Sequence, residues 1–500
     1  MPSFFCEPHF GAFLDEAEKF RREGNEVHIL VCNGSFDICV ANSSKDSVVC
    51  SLCTKYTNKF IGKISKDFCI HNIKNYFDNS IKYNNFNYNS VIDIKKIEYK
   101  GAKIGFASLS TYISKTRDLR PLFKSAFKHY FDYLLLQSCV LTDAIGNALN
   151  DIKPDLVCLF NGRFFDSRPI FDVAAQKDIS VRCYDVVEYA DKIFVKQISQ
   201  NATLHSIKEI MSQLNHCWNS SINSLEDKIK IAHDFFQKKR DGIFIGEVVY
   251  IKNQEKGLLP VGFDKNKQNI VIFNSSEDEY AAIGDEYEKL SLFKSQIDGL
   301  EYIFRTFENN KKIHFYLRIH PNLSDIKYKY HTDLCSFQKK YRNVTVIPAE
   351  DNVSTYDLLD AAEKVIVFGS TIGVEAAYWN KAVILLSGAP YYYLDICYKP
   401  KSLLELKEMI VSSLEPREKK DALRFAYFTM HKDPDRFYKY VDFTISPFYF
   451  LGRKVYAINY KKIFGSPKLF AIHQGMKQKF LKAIFKVNFI NHFSKRRIKF

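Results

Sequence analysis

The stretch Val365–Glu375, VIVFGSTIGVE, decides how the second half of this chain folds. Its apolar start ends at a glycine and two hydroxyl side chains, and a helical pattern follows, which is typical of a buried parallel strand that leads into a helix. Gly369 allows close approach of the backbone to a ligand, and Ser370 and Thr371 can cap the helix and donate their hydroxyls. The sequence therefore predicts a turn that favours a phosphate group at the end of a strand.

Glu375 lies one turn into the predicted helix. A carboxylate at this position can accept hydrogen bonds from both hydroxyls of a ribose, and with the preceding turn it would form part of a nucleotide site. The alternative is purely structural: Ser370 is a helix cap and Glu375 stabilises the helix dipole.

A neighbouring strand adds a second polar edge. Residues 313–319 form an apolar run that ends at Pro321, so Arg318 and His320 share one face near the carboxyl end of the strand. Ligands of open α/β sheets bind at that edge. Arginine suits bidentate binding of phosphate, and a histidine can donate to a diphosphate or act as an acid or base. A histidine that merely caps the strand is the alternative.

A third polar edge follows the strand predicted at residues 269–273. Ser275 and Ser276 are candidates to touch phosphate, and Glu277 or a neighbouring acid is a candidate to orient a hydroxyl or an arginine. A solvated acidic start of a helix explains the same residues equally well.

Apolar strands alternate with helical patterns in both halves of the chain, which indicates parallel sheets covered on both faces. In the second half we expect helices that include residues 287–307 and 354–363, and strands at residues 269–273, 313–319, 344–347, 365–368 and 383–386. In the first half we expect helices at residues 8–22, 119–150 and 167–177, with strands at residues 3–7, 27–33, 156–160 and 181–184. Residues 70–95 show weak periodicity and predict loop and short helix.

The fold class predicted from this alternation is α/β, with two doubly wound, Rossmann-like domains that face each other across a cleft. Followed by a C-terminal basic helical tail, this is the architecture of GT-B glycosyltransferases. The predicted divisions are an N-terminal Rossmann-like domain at 1–200, a helical linker region at 201–265, a C-terminal Rossmann-like domain at 266–440 and the tail at 441–500.

Four segments of the second half resemble a bacterial capsule or surface-polysaccharide biosynthesis family of GT-B type: Ser275–Tyr280, Arg318–Asn322, Val353–Ala362 and Phe368–Trp379. The similarity is densest from about 269 to 386 and thinner in the first half. It implies that the first domain binds the acceptor and that the nucleotide-sugar donor is bound by Arg318, His320, Ser370, Thr371 and Glu375. By position, the other nucleotide-site candidates are Ser275, Ser276, Glu277, Gly369 and Gly373.

Three loops of the first domain are expected at its cleft. They carry His9, Asn161 with Arg163, and the run from Asp185 to Glu188. An inverting transfer needs a base near the acceptor hydroxyl, and His9 or Asp185 could serve, with His320 as a further catalytic candidate. A retaining transfer needs no such base, and ordinary loop capping is the structural alternative. Where the family would have an acid followed by glycine, this chain has valine after Asp185.

Four cysteines, Cys32, Cys39, Cys50 and Cys53, are close in sequence. Cysteines at this density in a reducing compartment favour a structural zinc ion, while buried thiols in an apolar core are the alternative. No cofactor is expected for the transfer itself, which we expect to be independent of metal.

The basic charge is concentrated at the end of the chain. The net charge is +15, and residues 451–500 contain thirteen lysines and arginines and no acid, so the first 450 residues carry only 15 − 13 = +2. Apolar residues alternate with the charges, as in the run from Lys479 to Lys486, which is typical of a helix that lies on an anionic membrane. A helix packed on the body with exposed lysines is the alternative. A nucleic-acid partner is not expected, because the charge does not form a stripe with stacking aromatics.

The composition and the hydropathy of the chain indicate where in the cell we expect the protein. Hydrophobic residues make up 46% and charged residues 26% of the chain, which is typical of a globular protein. No apolar run is long enough to span a bilayer, and the start does not resemble a signal peptide. We therefore expect a cytoplasmic protein, peripheral on the inner face of the cytoplasmic membrane.

The sequence as a whole predicts a glycosyltransferase that moves a sugar from a nucleotide-sugar to a lipid-linked or growing surface polysaccharide, such as capsule, O-antigen or lipopolysaccharide. Two enzymatic alternatives share the expected architecture: a sugar-nucleotide epimerase and a CDP-alditol phosphotransferase. A catalytically inactive subunit of an assembly complex is the alternative that is not an enzyme.

Overall fold

The computed structural model describes residues 9–36, 39, 42, 47–81, 83, 85–189, 193–246, 249–324, 326, 328–431, 436–443, 448–450 and 453–456. The strand predicted at residues 3–7 and the amphipathic run around Lys479 lie outside the described residues. Within them, no helix is both long and apolar enough to cross a bilayer.

The chain divides into two compact units, which we describe separately. One unit comprises Met1–Glu188, Lys192–Leu204 and Asp433–Phe500, and the other comprises Tyr189–Asp191 and His205–Lys432.

The helices of the first unit are α1 (His9–Arg22), α2 (Ser47–Ile64), α3 (Val91–Lys95), α4 (Ile104–Thr116), α5 (Ser125–Ile152) and α6 (Arg168–Gln176). Its first strands are β1 (His28–Val31), β2 (Cys69–Asn72), β3 (Leu156–Phe160), β4 (Ser180–Tyr189) and β5 (Ile193–Gln200). Strand β1 pairs with β2 and β3 pairs with β4, both in parallel, and β5 lies beside β4. Apolar side chains of α1, α2 and β1 form one core, and those of α5, α6, β3 and β4 contribute to another.

The sequence predicts a loop at residues 185–188, and this prediction is wrong. Strand β4 continues through Asp185 to Tyr189. Val186 and Val187 are β-branched and fit an extended backbone, and β5 lies beside β4 in the sheet. Asp185 is therefore held on a strand, which fixes its position more firmly than a loop would.

The helices of the second unit are α7 (Ile207–Ser220), α8 (Leu225–Arg240), α9 (Asp285–Lys289), α10 (Gln296–Thr306), α11 (Lys329–Lys340), α12 (Thr355–Ala361), α13 (Ile372–Tyr378), α14 (Leu403–Val411) and α15 (Lys420–Met430). Its strands are β6 (Gln268–Phe273), β7 (Ile313–Arg318), β8 (Val344–Ile347), β9 (Lys364–Val367) and β10 (Ala382–Leu385). The region predicted as a linker contains α7 and α8, which belong to this unit. The single helix predicted at 287–307 is wrong, because a second helix, α10, begins after Ser295, whose side chain caps it.

The five strands of the second unit form one parallel sheet in the order β8-β7-β6-β9-β10. Counted along the unit, this order is 3-2-1-4-5, the doubly wound arrangement that the sequence predicts. The order reverses between β6 and β9, and a ligand crevice forms at such a switch point, beyond the carboxyl ends of the strands. Strand β9 is buried along its whole length, as its apolar sequence requires.

The segment predicted as a helical tail begins with strands. Strands β11 (Val441–Phe443), β12 (Phe448–Phe450) and β13 (Arg453–Tyr456) form a small antiparallel sheet in the first unit. The prediction of a helical tail at residues 441–500 is therefore wrong for these three strands. The phenylalanines and tyrosines of the three strands favour extended structure over helix.

Candidate functional site

A cavity of about 310 Å³ opens at the switch point of the second unit's sheet. Its walls include most of the residues that the sequence predicts for a nucleotide site: Ser275, Ser276, Arg318, His320, Ser370, Thr371 and Glu375. They come from the ends of β6, β7 and β9 and from α13, so the sheet topology brings together three segments that are distant in sequence. The volume is at the lower end of the range for small-ligand sites.

The turn after β9 depends on its glycine. Gly369 has φ +93°, and an added Cβ would lie 2.9 Å from the carbonyl oxygen of Gly388. Thr371 is the N-cap residue of α13, but its side chain makes no capping hydrogen bond. Within the described part of the chain, no protein group hydrogen-bonds the hydroxyl of Ser370 or Thr371, so both are available to a ligand. Helix α13 has only seven residues, so these hydroxyls matter more than its dipole.

Gly373 has a packing role in this turn. A Cβ at this position would lie 2.6 Å from the Tyr391 hydroxyl, which donates to the carbonyl of Ser370. Burial raises the pKa of Tyr391 far above its usual value, so this hydroxyl keeps its proton and remains a donor. By leaving room for this hydroxyl, Gly373 allows Tyr391 to hold the carbonyl of Ser370. Gly373 itself does not line the cavity.

Glu375 is almost fully buried at the cavity, with 4% of the residue exposed. Its Oε2 accepts a hydrogen bond of 2.5 Å from the Tyr356 hydroxyl, and its Oε1 lies 3.4 Å from the Lys239 ammonium. Sequence reasoning misses both partners. Tyr356 follows Ser354 and Thr355 in one of the segments that carry the family resemblance, which could have identified it. Lys239 lies in a run of basic residues on α8 that carries no distinguishing signal.

Arg318 is also buried, with 2% exposed, but much of its hydrogen-bonding capacity is already used. One terminal nitrogen donates to the carbonyl of Pro348 at 2.6 Å and the other to that of Asp351 at 3.0 Å. Its Nε is buried without a hydrogen-bond partner among the described residues. Burial lowers the pKa of the guanidinium, yet it stays charged, because arginine starts so high. Arg318 therefore supplies a fixed positive charge to the cavity. Both terminal nitrogens already donate to backbone carbonyls, so the guanidinium is not open for the bidentate phosphate binding that the sequence predicts.

His320 is held by two asparagines. Its backbone N–H donates to Asn274 Oδ1 at 2.8 Å, and its Nδ1 accepts the backbone N–H of Asn322 at 3.1 Å. A neutral ring whose Nδ1 accepts carries its proton on Nε2, which makes that nitrogen a donor. The ring packs edge-on against Tyr250, with centroids 5.0 Å apart. This arrangement suits a ring that donates to an anionic group.

The loop after β6 is mainly structural. The Ser275 hydroxyl donates to the carbonyl of Phe368 at 2.9 Å and accepts from Gln296 at 2.9 Å, which joins the ends of β6 and β9 at the switch point. The Ser276 hydroxyl donates to Asp278. Glu277 begins a short 3-10 helix, and of its three acids only Glu279 lines the cavity.

The first unit brings its own candidates together. His9 Nδ1 lies 3.3 Å from Asp185 Oδ1, and Asn161 donates to the other oxygen of Asp185 at 2.7 Å. The His9 ring packs against Phe160. Arg163 does not join this group in the described contacts, and its guanidinium lies 4.6 Å from the Phe164 ring centroid. The two base candidates of the sequence are thus neighbours.

The four cysteines of the zinc hypothesis all lie in the described part of the first unit. Asn42 hydrogen-bonds both Cys39 Sγ and Cys50 Sγ at 3.1 Å, and burial raises the pKa of the Cys32 thiol. No three of these four sulfurs form a close ligand group within the described residues. The zinc hypothesis at these cysteines stays a prediction.

Residues 253–400 match a family model described as capsule polysaccharide biosynthesis protein. The segment is thus similar to that family, as the resemblance of the sequence indicates. It contains β6 to β10 and the cavity residues from Phe273 to Glu375. A comparison with curated proteins gave no match.

Solved structures similar to this chain include two of KpsC from Thermosulfurimonas dismutans. The β-Kdo 2,4 transferase is 14% identical, with 54% of this chain and 79% of that chain covered and a TM-score of 0.34. The β-Kdo 2,7 transferase is 12% identical, with 57% and 79% covered and a TM-score of 0.31. The UDP co-structure of S. aureus MnaA is 11% identical, with 59% and 76% covered and a TM-score of 0.24. At these values the likeness does not identify a substrate.

Proposed function

We propose that this chain is a glycosyltransferase that transfers a sugar from a nucleotide-activated donor to a lipid-linked or growing bacterial surface polysaccharide. One observation supports it most: the buried carboxylate of Glu375, the available hydroxyls of Ser370 and Thr371, and the cationic or donor groups of Arg318 and His320 line a single cavity at a topological switch point. The match of residues 253–400 to the capsule polysaccharide biosynthesis model, which includes these residues, supports the polysaccharide context.

The cavity has the groups needed to stabilise a leaving phosphate. Transfer of the sugar leaves negative charge on the nucleotide, and donors fixed in place beforehand stabilise that charge most effectively. Arg318 is held by two backbone carbonyls, so its charge needs no reorganisation during the reaction. His320 adds an Nε2–H donor, and Ser370 and Thr371 add hydroxyls. The donor phosphates would lie among these four side chains.

Glu375 is the proposed ribose ligand. Its two oxygens face Tyr356 and Lys239, which hold the carboxylate in place and partly offset its buried charge. The separation of 3.4 Å from Lys239 is longer than a strong charge-assisted hydrogen bond. A ribose hydroxyl could therefore donate to Glu375 while the lysine turns toward a phosphate.

In the first unit, His9 is the proposed base and Asp185 its orienting partner. A carboxylate beside Nδ1 holds an imidazole in orientation and stabilises the charge it gains when Nε2 takes a proton. Asn161 fixes the carboxylate from its other side. This assignment joins two candidates that the sequence leaves as alternatives, and it applies to an inverting transfer.

Thermal unfolding with UDP, GDP, CDP and CMP tests the donor site. One nucleotide should stabilise the protein by about 2.7 kcal/mol at a concentration 100 times its Kd, which is a shift of several degrees. Glu375→Gln should raise the Kd at least about tenfold, because a charged acceptor of hydroxyl groups is lost. Thr371→Val, which keeps the shape and removes the hydroxyl, should weaken binding less.

Glu363→Gln is the matched control, because Glu363 is an exposed acid in the same unit and should not change nucleotide binding. Absence of a shift with every nucleotide at millimolar concentration would favour an inactive assembly subunit. Conversion of a UDP-sugar without an acceptor would favour an epimerase. Transfer of an alditol phosphate from a CDP donor would favour the phosphotransferase alternative.

A further inference from the structure

A second cluster of side chains in the first unit lies at the paired strands β1 and β2. His28 on β1 is directly opposite Cys69 on β2, and Glu26 lies two residues before His28, on the same side of the alternating strand pattern. One carboxylate oxygen, one ring nitrogen and one sulfur of these residues all lie within 4.8 Å of one another. None of these three residues has a role in the proposed transfer.

The distances between these side-chain atoms fit ligands that share one tetrahedrally coordinated ion. Glu26 Oε1 lies 3.2 Å from His28 Nε2 and 3.6 Å from Cys69 Sγ. Ligands at the usual zinc bond lengths of about 2.0–2.1 Å for nitrogen and oxygen and about 2.3 Å for sulfur are separated by roughly 3.3 Å and 3.5 Å in a tetrahedron. The side chains would therefore need only small movements to bind such an ion.

A chain of hydrogen bonds holds His28 in the form that binds metal. Asp151 accepts from the Tyr76 hydroxyl at 2.9 Å, so that hydroxyl can accept from His71 Nδ1, which lies 2.9 Å away. The neutral His71 ring then has a free lone pair on Nε2, which accepts from His28 Nδ1–H at 2.9 Å. This leaves the Nε2 lone pair of His28 on the side of Glu26.

Metal-bound histidines usually donate their other ring N–H to a second group, which fixes the ring and raises its basicity. His71, supported by Tyr76 and Asp151, has that role here. The relay is an observation separate from the cluster itself, and it fits a metal ligand better than a simple ion pair. An ion pair between Glu26 and His28 would need a proton on Nε2.

We propose that Glu26, His28 and Cys69 bind a divalent transition-metal ion of the zinc type, with a water molecule as the fourth ligand. The mixture of thiolate, imidazole and carboxylate selects borderline ions over magnesium or calcium. Binding releases the thiol proton of Cys69 to solvent. The ion would join β1 to β2, which form a pair of short strands within the described residues, and so short a pairing gains stability from such a link.

The test uses the full chain, freed of metal by a chelator and then titrated with Zn²⁺ by calorimetry, with cobalt absorption as a second measurement. The expected result is one saturable site, and a sulfur-to-cobalt charge-transfer band that Cys69→Ser abolishes. Glu26→Gln should weaken binding at least about tenfold, and His71→Asn by about 10- to 100-fold. Glu26 is exposed, so its substitution should not disturb folding.

Cys50→Ser is the control variant, since Cys50 belongs to the separate zinc hypothesis of the sequence. Saturable binding that is lost in Cys50→Ser but kept in Glu26→Gln and Cys69→Ser would overturn the proposal. Absence of saturable binding to the full chain would overturn it as well. Circular dichroism of each variant separates lost metal binding from lost folding.

Discussion

His9 is the residue whose substitution separates chemistry from donor binding. The proposed base lies in the first unit, whereas the described residues that line the proposed nucleotide cavity all belong to the second. His9→Gln should therefore lower kcat by about 10²- to 10⁴-fold, the usual contribution of a general base, and leave the thermal shift with nucleotide unchanged. Steady-state transfer assays with a radiolabelled donor measure the first effect.

Asp185→Asn is the companion variant. It keeps the shape of the side chain and removes the charge beside His9, so it should lower kcat less than His9→Gln does. The control is Asp155→Asn, an exposed acid in the same unit, just before β3. Full activity of His9→Gln would remove His9 as the base and favour a retaining transfer.

The sequence identifies residues that line the cavity well where they follow buried strands. Ser370, Thr371 and His320 were predictable because each lies just beyond an apolar run, at the edge where parallel strands end. Tyr356 and Lys239 contact Glu375 from other helices, and a local sequence pattern does not predict a contact of this kind. The hydrogen bonds of Arg318 could not be predicted from the sequence either, because they depend on the position of the loop after β8.

Among the elements, the contact between β7 and β8 includes a titratable group next to the first paired residues. His314 on β7 lies 2.8 Å from the Thr345 hydroxyl on β8. Burial, with a smaller effect of Lys267, lowers the pKa of His314 from 6.5 to about 4. The unfolded chain therefore binds this proton first as the pH falls. The contribution of His314 to stability is fully present above pH 6.5 and decreases steadily as the pH falls from there to about 4.

His314→Asn should make the stability of the second unit less dependent on pH between about 6.5 and 4. Asparagine can still hydrogen-bond to Thr345 but does not titrate in this range. Urea unfolding followed by tryptophan fluorescence measures this, since both tryptophans, Trp218 and Trp379, lie in the second unit. A His216→Asn variant is the control, because His216 lies on the surface helix α7. Equal pH dependence of wild type and His314→Asn would contradict the assignment.

The success of the element predictions depended on burial. Strands β6 to β10 were predicted to within one or two residues because buried parallel strands are nearly continuous apolar runs. Strand β2 was missed because its sequence, CIHN, is short and partly exposed, and its pairing with β1 is what makes it a strand. The length of β4 was missed for the same reason, since its second half is defined by its neighbour β5.

At the scale of the whole chain, a buried ion cluster ties three distant segments of the first unit together. Lys196 on β5 donates to Asp15 at 2.8 Å and to Glu16 at 2.6 Å, and all three side chains are nearly inaccessible. The other oxygen of Asp15 accepts the backbone N–H groups of residues 439–441 at 2.7–3.0 Å. The chain after the second unit is thereby attached to α1.

Lys196→Met should destabilise the first unit by about 3–5 kcal/mol, because it removes the buried cation that Asp15 and Glu16 share, although Glu16 keeps a longer contact of 3.5 Å with Arg182. Hydrogen exchange of α1 and β5 measures this directly. Adding Glu16→Gln to Lys196→Met should recover part of the loss, which a simple packing defect would not. Exchange rates in α1 that match those of the wild type would show that the cluster contributes little.

The basic end of the chain remains a prediction, and the structure changes how it must be tested. Removal of residues 451–500 would also remove β13, which belongs to the sheet with β11 and β12. Substitution in the full chain avoids this. Lys479→Gln, Lys482→Gln and Lys486→Gln together should weaken binding to anionic phospholipid vesicles by roughly 100-fold, at about 1 kcal/mol per lysine.

The control replaces three exposed lysines of the second unit, Lys265, Lys311 and Lys312. If both triple variants bind anionic vesicles as the wild type does, the tail is not the membrane contact. If both lose binding equally, net charge and not an amphipathic helix attracts the protein.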